Sequence, residues 1–224
     1  MVVSPKFRTI LLFGMPGSGK GTQGVVLGHL PGVVHISSGD LFRRLPKHGE
    51  LGREVVSYTS RGLLVPDELT IRIWKRHVQI LTLQEEIAPG STTLVLDGLP
   101  RNFAQAEMLD SVLDVLQIFH LKITDIEAAK DRLAARALRE NRLDDINEEV
   151  VRRRLQVYNE ETIQTLRFYD PALIYEIDAS QTPLKVHSDI VQRLCELETD
   201  RRHISEPPGF IPEPNSQPQP ASAK

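Results

Sequence analysis

With 224 residues, 40% of them hydrophobic and 25% charged, the chain carries enough apolar material for one well-buried core and too much for a disordered polymer. A net charge of -3 excludes a surface built to coat nucleic acid, so no nucleic-acid partner is expected. The single cysteine, Cys195, excludes a disulfide framework and any zinc site made from several cysteines, and it points to a reducing compartment, the cytoplasm.

The first β-rich run is FRTILLF, residues 7–13. Its apolar stretch is far too short to span a membrane and runs on without a cleavage-site pattern, so no membrane partner is expected. GMPGSGK follows directly, matching the phosphate-binding pattern GxxxxGK[ST] from Gly14 to Lys20, with Gly21 where a hydroxyl is usual. A strand, a glycine-rich turn and a helix starting near Lys20 aim backbone N–H groups and a helix dipole at one anion, and Lys20 adds a full charge. No guanine-reading NKxD segment occurs, which sets GTPases aside.

Four further runs, at 33–36, 92–96, 116–123 and 172–177, alternate with amphipathic stretches. That alternation predicts an α/β fold, a parallel sheet covered by helices on both faces. Asp97 closes the third run, where a carboxylate beside a phosphate loop is placed to hold magnesium directly or through water. Thr124 with Glu127 reads as a capping box, so a helix is predicted from Thr124 to Asn141. A second helix is predicted from Asn147, with Val151, Leu155, Tyr158, Thr162, Leu166 and Tyr169 on its buried stripe. From Glu206 onward six prolines with Ser, Gln and Ala replace any periodicity, giving a Pro-rich tail expected to be disordered. The seven histidines form no metal-like cluster, and Cys195 reads as a small apolar residue of the last helix.

Taken in order, GMPGSGKGTQ, HISSGDLFR (35–43), GLLVPDEL (62–69), LDGLPRNFAQAE (96–107) and RLDD (142–145) make roughly residues 7–200 resemble the adenylate kinases, nucleoside monophosphate kinases of the short-lid type. The resemblance implies a P-loop nucleoside triphosphate hydrolase-like fold, a five-stranded parallel sheet flanked by helices. It implies a single domain over 1–202 with an acceptor-binding insertion at about 37–66 and a lid at about 135–145, then the tail at 203–224. The implied activity is reversible transfer of the γ-phosphoryl group of ATP to AMP by a monomer using Mg2+. In that family GKGTQ is the normal continuation of the loop, and the aspartate at Asp97 orders the waters of the ion.

The resemblance also assigns residues. ATP would be held by Gly14, Pro16, Gly17, Ser18, Gly19, Lys20, Gly21, Thr22 and Arg132. AMP would be held by Ser38, Arg43, Leu64, Val65, Gly98, Arg101 and Gln105, the last reading the adenine edge. Catalysis would fall to Lys20, Arg101, Arg136, Arg142 and Arg154. Arginine suits this chemistry because its planar fork makes two hydrogen bonds to one phosphate and keeps its charge. Arg132 and Arg136 stand four apart, on one helix face. For the last arginine, counting forward from Asp144 and Asp145 selects Arg153, and counting back from Leu155 and Tyr158 selects Arg154. Helical register favours Arg154, since a one-residue slip would turn the buried stripe to solvent.

Three features depart from the family pattern: Ser38 replaces the usual threonine, the lid lacks glycine, and Arg139 in the lid has no family match and reads as a surface charge. A kinase for CMP or UMP, or a nucleotide-binding module without catalysis, are the alternative readings.

Overall fold

The computed structural model describes residues 5–140, 142 and 145–205, with side chains as far as Glu198. Five parallel strands form one sheet in the order β2-β3-β1-β4-β5: β1 Phe7–Gly14, β2 Val33–Ser37, β3 Thr93–Asp97, β4 Leu113–Lys122 and β5 Ile174–Asp178. Because β1 is central it is buried on both faces, and its period-two alternation splits it between two cores. Leu11 and Phe13 join the larger cluster, around Trp74, Leu94, Leu96 and Ile118. Ile10 and Leu12 join the other, around Val95, Phe119, Leu121 and Ile190.

Eight α-helices complete the described chain: α1 Lys20–Leu27, α2 Ser38–Arg44, α3 Glu50–Thr59, α4 Asp67–Leu83, α5 Phe103–Asp110, α6 Ile126–Glu140, α7 Glu148–Val157 and α8 Pro183–Ser205. The register pairs Leu12 with Asp97 and Ser37 with Asp97, so β2 and β3 finish level at their carboxyl ends and β1 runs two residues beyond them to Gly14. Ligands of open parallel sheets bind outside such an edge. None of the described helices is long and apolar enough to cross a membrane.

Several boundaries differ from the pattern reading. The helix expected at Thr124 starts at Ile126, because the Asp125 carboxylate accepts the free N–H groups of Glu127 and Ala128 and acts as the cap in place of the Thr124 hydroxyl. β4 begins at Leu113 and not at residue 116, because β1 steps from Val115 to Gln117 in its pairing and leaves Leu116 as an unpaired extra residue that breaks the alternation. β5 begins two residues later than expected, after a 3-10 turn at Pro171–Leu173.

The stripe Val151, Leu155, Tyr158 is buried as expected. Beyond it a π turn, Tyr158–Thr162, and a 3-10 turn, Ile163–Phe168, change the period, so Thr165 is fully enclosed while Leu166 and Tyr169 pack half-buried on the larger core. α8 runs to Ser205, so the first residues of the expected tail are helical, and the rest of the tail lies outside the described residues. Asn141, Leu143 and Asp144 of the expected lid lie outside them too. Cys195 lies on α8, the last helix, as expected, and is exposed there.

Candidate active site

At Gly14 the chain leaves the central strand and turns through residues 15–19 into α1. Gly17 and Gly19 both hold φ at +88°, and a Cβ on Gly17 would lie 2.5 Å from the Ala129 carbonyl oxygen of α6. The loop is thereby pressed against α6, whose arginines project beside it. Nζ of Lys20 donates to the carbonyls of Gly14 at 2.5 Å and Met15 at 3.0 Å. Burial draws the Lys20 pKa down to about 8; Asp97 opposes that drop while Arg101, Arg136 and Arg154 add to it. The Ser18 hydroxyl is buried with no hydrogen-bond partner among the described residues, a polar group that a ligand oxygen would satisfy.

A Cβ at Gly21 would lie 3.5 Å from Oδ2 of Asp97, so the residue without a side chain leaves that carboxylate next to the loop. This donor set fits Mg2+ that arrives with most of its ligands, nucleotide phosphates and waters, because Mg2+ seldom uses an all-protein cage. Among the described residues no group of three or more His, Cys, Asp or Glu could hold a metal ion.

The loop opens into a cleft of about 780 Å³. Lys20, Arg43, Arg101, Arg132, Arg136, Arg139, Arg142 and Arg154 line it, against the carboxylates of Asp40, Asp97 and Glu140. Such an excess of positive charge is offset best by bound anions. Arg101 shows the crowding, since burial and then the charge of Arg154 lower its pKa to about 10.

On one wall, Arg43 lies in the last turn of α2 and binds Oδ1 of Asp40 at 2.5 Å. Burial works to raise the Asp40 pKa, but the hydrogen bond and charge of Arg43 outweigh it and hold the carboxyl below its ordinary range. Arg101 is fixed by Nε donating to the Gly98 carbonyl at 3.0 Å, which also accepts the Ser38 hydroxyl at 2.8 Å.

On the opposite wall, Arg132 donates to the carbonyls of Ala179 at 2.6 Å and Ser180 at 3.2 Å, tying α6 to the turn after β5. Arg136 forks onto Asp145, with Nε to Oδ2 at 2.7 Å and NH2 to Oδ1 at 2.8 Å, and Arg154 reaches Oδ1 at 2.6 Å. Burial alone would raise the Asp145 pKa, but the hydrogen bonds and charges of the two arginines keep it below the usual carboxylate range. Arg142 lies 2.6 Å from Glu140 and 3.9 Å from Asp40, so the two walls approach each other there.

The expected ATP-site residues Gly14, Pro16, Gly17, Ser18, Gly19, Lys20, Gly21, Thr22 and Arg132 all line this cleft. Of the acceptor set, Arg43, Leu64, Gly98 and Arg101 line it. Ser38, Val65 and Gln105 do not: they are at most 4% exposed, with the Ser38 hydroxyl and Gln105 amide engaged by neighbouring backbone and side chains beneath the wall. Arg136, Arg142 and Arg154 also line it, with Asp97. Arg153 is exposed and binds Gln156.

Arg139, read as a surface charge, also lines the cleft, because the last turn of α6 carries it along the same rim as Arg132 and Arg136. Asp145 was assigned no role by the sequence, although an acidic pair directly after a lid arginine was the available signal. Gln23 was missed as well: it is 2% exposed, donates to the Pro183 carbonyl at 2.9 Å and meets Nδ1 of His187 at 3.1 Å, joining α1 to α8.

A model of the adenylate kinase family matches residues 12–173 of the chain. The adenylate kinase of Thermobifida fusca is 41% identical over 176 residues, covering 76% of this chain and 89% of that protein. The adenylate kinase of Clostridioides difficile is 36% identical over 218 residues, covering 83% of this chain and 97% of that protein. That of Synechococcus sp. is 41% identical over 162 residues, 72% and 84% of the two chains. With the five-stranded parallel sheet, the phosphate loop and the arginine-lined cleft, these matches establish that the chain belongs to the adenylate kinase family of nucleotide-binding phosphotransferases.

Proposed function

We propose that the protein transfers the γ-phosphoryl group of ATP to AMP, reversibly and with Mg2+, giving two ADP, in the cytoplasm. The observation that carries this reading is the convergence of the phosphate loop with Arg43, Arg101, Arg136, Arg142 and Arg154 on a single cleft. The names of the relatives support the choice of nucleotides. An acceptor-binding insertion at 37–66 and a lid at 135–145 would close the cleft from its two walls.

Phosphoryl transfer asks the protein mainly to align two phosphates and neutralise charge. Lys20 and the loop N–H groups would cradle the β- and γ-phosphates, with the Ser18 hydroxyl as a further donor. Arg43 and Arg101 would grip the phosphate of AMP and aim one of its oxygens at the γ-phosphorus. As that oxygen bonds to phosphorus, the bond from phosphorus to the bridging oxygen of ADP breaks, and Arg136, Arg142 and Arg154 would stabilise the charge spread over the moving group. Asp97 would hold Mg2+ through water, and the ion when bound neutralises charge on the nucleotide phosphates. No general base is required, because a monophosphate with a second pKa of about 6 is already largely ionised at neutral pH.

The test is a coupled assay of ADP formation with ATP and Mg2+ fixed and AMP, CMP, UMP or GMP as acceptor. A kcat/KM for AMP far above the others is expected. A pyrimidine monophosphate that matched AMP would replace the acceptor in this reading.

A further inference from the structure

His120 is a polar residue within the apolar run of β4, paired with Phe13 of β1 and only 4% exposed. Alternation along β4 sets it on the face of Ile118, the side of the larger core. Its Nε2 meets the hydroxyl of Tyr158 at 2.9 Å, and its Nδ1 lies 3.6 Å from Oε1 of Glu176, its register partner in β5. Glu176 also binds Nζ of Lys122 at 3.1 Å. Burial lowers the His120 pKa; Glu176 opposes the drop, and the charges of Lys122 and Lys20 add to it, so the ring is neutral at neutral pH.

A carboxylate attracts an N–H and repels a lone pair, so the hydrogen of the neutral ring belongs on Nδ1, facing Glu176, which leaves Nε2 to accept the Tyr158 O–H. Burial pushes the Tyr158 pKa up to about 12, so the phenol keeps that hydrogen at any working pH. Tyr158 is 7% exposed, lines the cleft and stands where α7 passes into the π turn. Its backbone N–H donates to the carbonyl of Arg154, one turn earlier on the same helix face. The π turn interrupts the regular ladder of α7 at this point, so side-chain contacts must fix where the helix end lies. The bond to His120 is such a contact, joining residues 38 apart: one on the strand beside the phosphate loop, the other on the helix end that carries Arg154.

We propose that His120 is a positioning residue for phosphoryl transfer: by accepting the Tyr158 hydroxyl it fixes the end of α7, and with it Arg154, relative to the phosphate loop. Asp145 sets the guanidinium of Arg154, and His120 sets the helix from which that side chain projects. The inference rests on the reading of Arg154 as a residue that stabilises the transferring group.

The test is a cycle of variants assayed as ADP formation from ATP and AMP with Mg2+. His120→Phe keeps an aromatic ring but removes the acceptor, and Tyr158→Phe removes the hydroxyl. Each should lower kcat by about tenfold with the KM for ATP and for AMP within about twofold, and the double variant should be no slower than the slower single one, since the same bond is lost in all three. His120→Gln, whose amide oxygen can accept the same hydroxyl, should recover most of the loss. In Arg154→Ala enzyme, His120→Phe should cost less than about twofold in kcat, because the group it positions is gone. A wild-type kcat in His120→Phe would overturn the inference, and so would a full loss in the Arg154→Ala background, which is what general loosening of the fold produces. His120→Gln as slow as His120→Phe would overturn it too. Where His120→Phe fails to fold, Tyr158→Phe with and without Arg154→Ala makes the same comparison. Wild-type enzyme unable to make ADP, or a wild-type kcat in Arg154→Ala alone, would instead overturn the functional reading on which the inference stands, so the two failures are separable.

Discussion

Asp145 accepts a hydrogen bond from Arg154 at 2.6 Å while its other oxygen takes Nε of Arg136 at 2.7 Å. One enclosed anion thus sets the spacing of two cations on different helices, and both remain a fifth to a quarter exposed, at 21% and 25%, toward the cleft they line. Replacing Asp145 with Asn keeps the shape but removes the charge and one acceptor. Turnover should fall by about ten- to a hundredfold, because the arginines would no longer be held in place for the transferring group.

Stability should fall too, by about 2 kcal/mol at neutral pH, the scale of a lost charge-assisted bond in a partly solvated network. The folded carboxyl titrates below its ordinary range, so its contribution is complete above the unfolded pKa of about 3.9 and disappears as pH falls through the lower folded value. Urea unfolding of both proteins down a pH series checks this: the gap between them should close only on the acid side.

Lys20 gives a prediction of the opposite sign. Its folded pKa of about 8 lies below the ordinary 10.5, so the unfolded state binds more protons between those values and the group costs stability below about pH 8. Lys20→Met should therefore leave the melting temperature unchanged or slightly raised while turnover drops by several orders of magnitude. Nucleotide phosphates should restore the lysine's charge, so ATP binding should take up protons between about pH 8 and 10.5. Calorimetry in buffers of different ionisation enthalpy measures that uptake, and Lys20→Met should abolish it.

The sheet and phosphate loop were legible because their signals are local. Glycines forced by φ near +88° at Gly17 and Gly19, and a central strand with two apolar faces, leave their pattern in contiguous residues. Arg154 lines the cleft while Arg153 is exposed, a difference that the single buried stripe of a helix makes readable from register. Asp145 could not be placed in the same way, as its partners lie nine residues away in both directions and are brought together by α6 and α7 packing. The hydrogen bond from Gln105 to Asp67 joins residues 38 apart, and no periodicity records it. Arg139 is exposed, as a surface charge should be, and lines the cleft as well, because a long side chain can do both and charge alone does not separate them.

Arg142 bridges the walls, 2.6 Å from Glu140 and 3.9 Å from Asp40. Asp40 in turn holds Arg43, so substrate phosphate would compete with these carboxylates for both arginines as the walls meet. A contact completed on closure acts on the reacting state more than on initial ATP binding. Arg142→Ala should reduce kcat by about a hundredfold or more while raising the KM for ATP only a few-fold. Steady-state kinetics with saturating AMP decides it. Unchanged kcat with a large rise in KM would make Arg142 a residue of ground-state binding alone.

The final prediction uses two glycines that share one backbone conformation and differ in surroundings. Gly17 and Gly19 both have φ +88°, so alanine at either position meets the same left-handed strain, about 1–2 kcal/mol. A Cβ at Gly19 meets nothing within 4 Å, whereas at Gly17 it would lie 2.5 Å from the Ala129 carbonyl oxygen, part of the α6 backbone. That oxygen cannot rotate away like a side chain; α6 or the loop must move. Gly17→Ala should therefore destabilise the unliganded enzyme by roughly 1–3 kcal/mol more than Gly19→Ala. Because α6 also carries Arg132 and Arg136, its displacement should weaken ATP binding beyond the loss caused by strain in the loop. Thermal unfolding without nucleotide gives the first comparison and ATP titration the second. Equal destabilisation in the two variants would show that the loop, and not its contact with α6, sets the requirement for glycine.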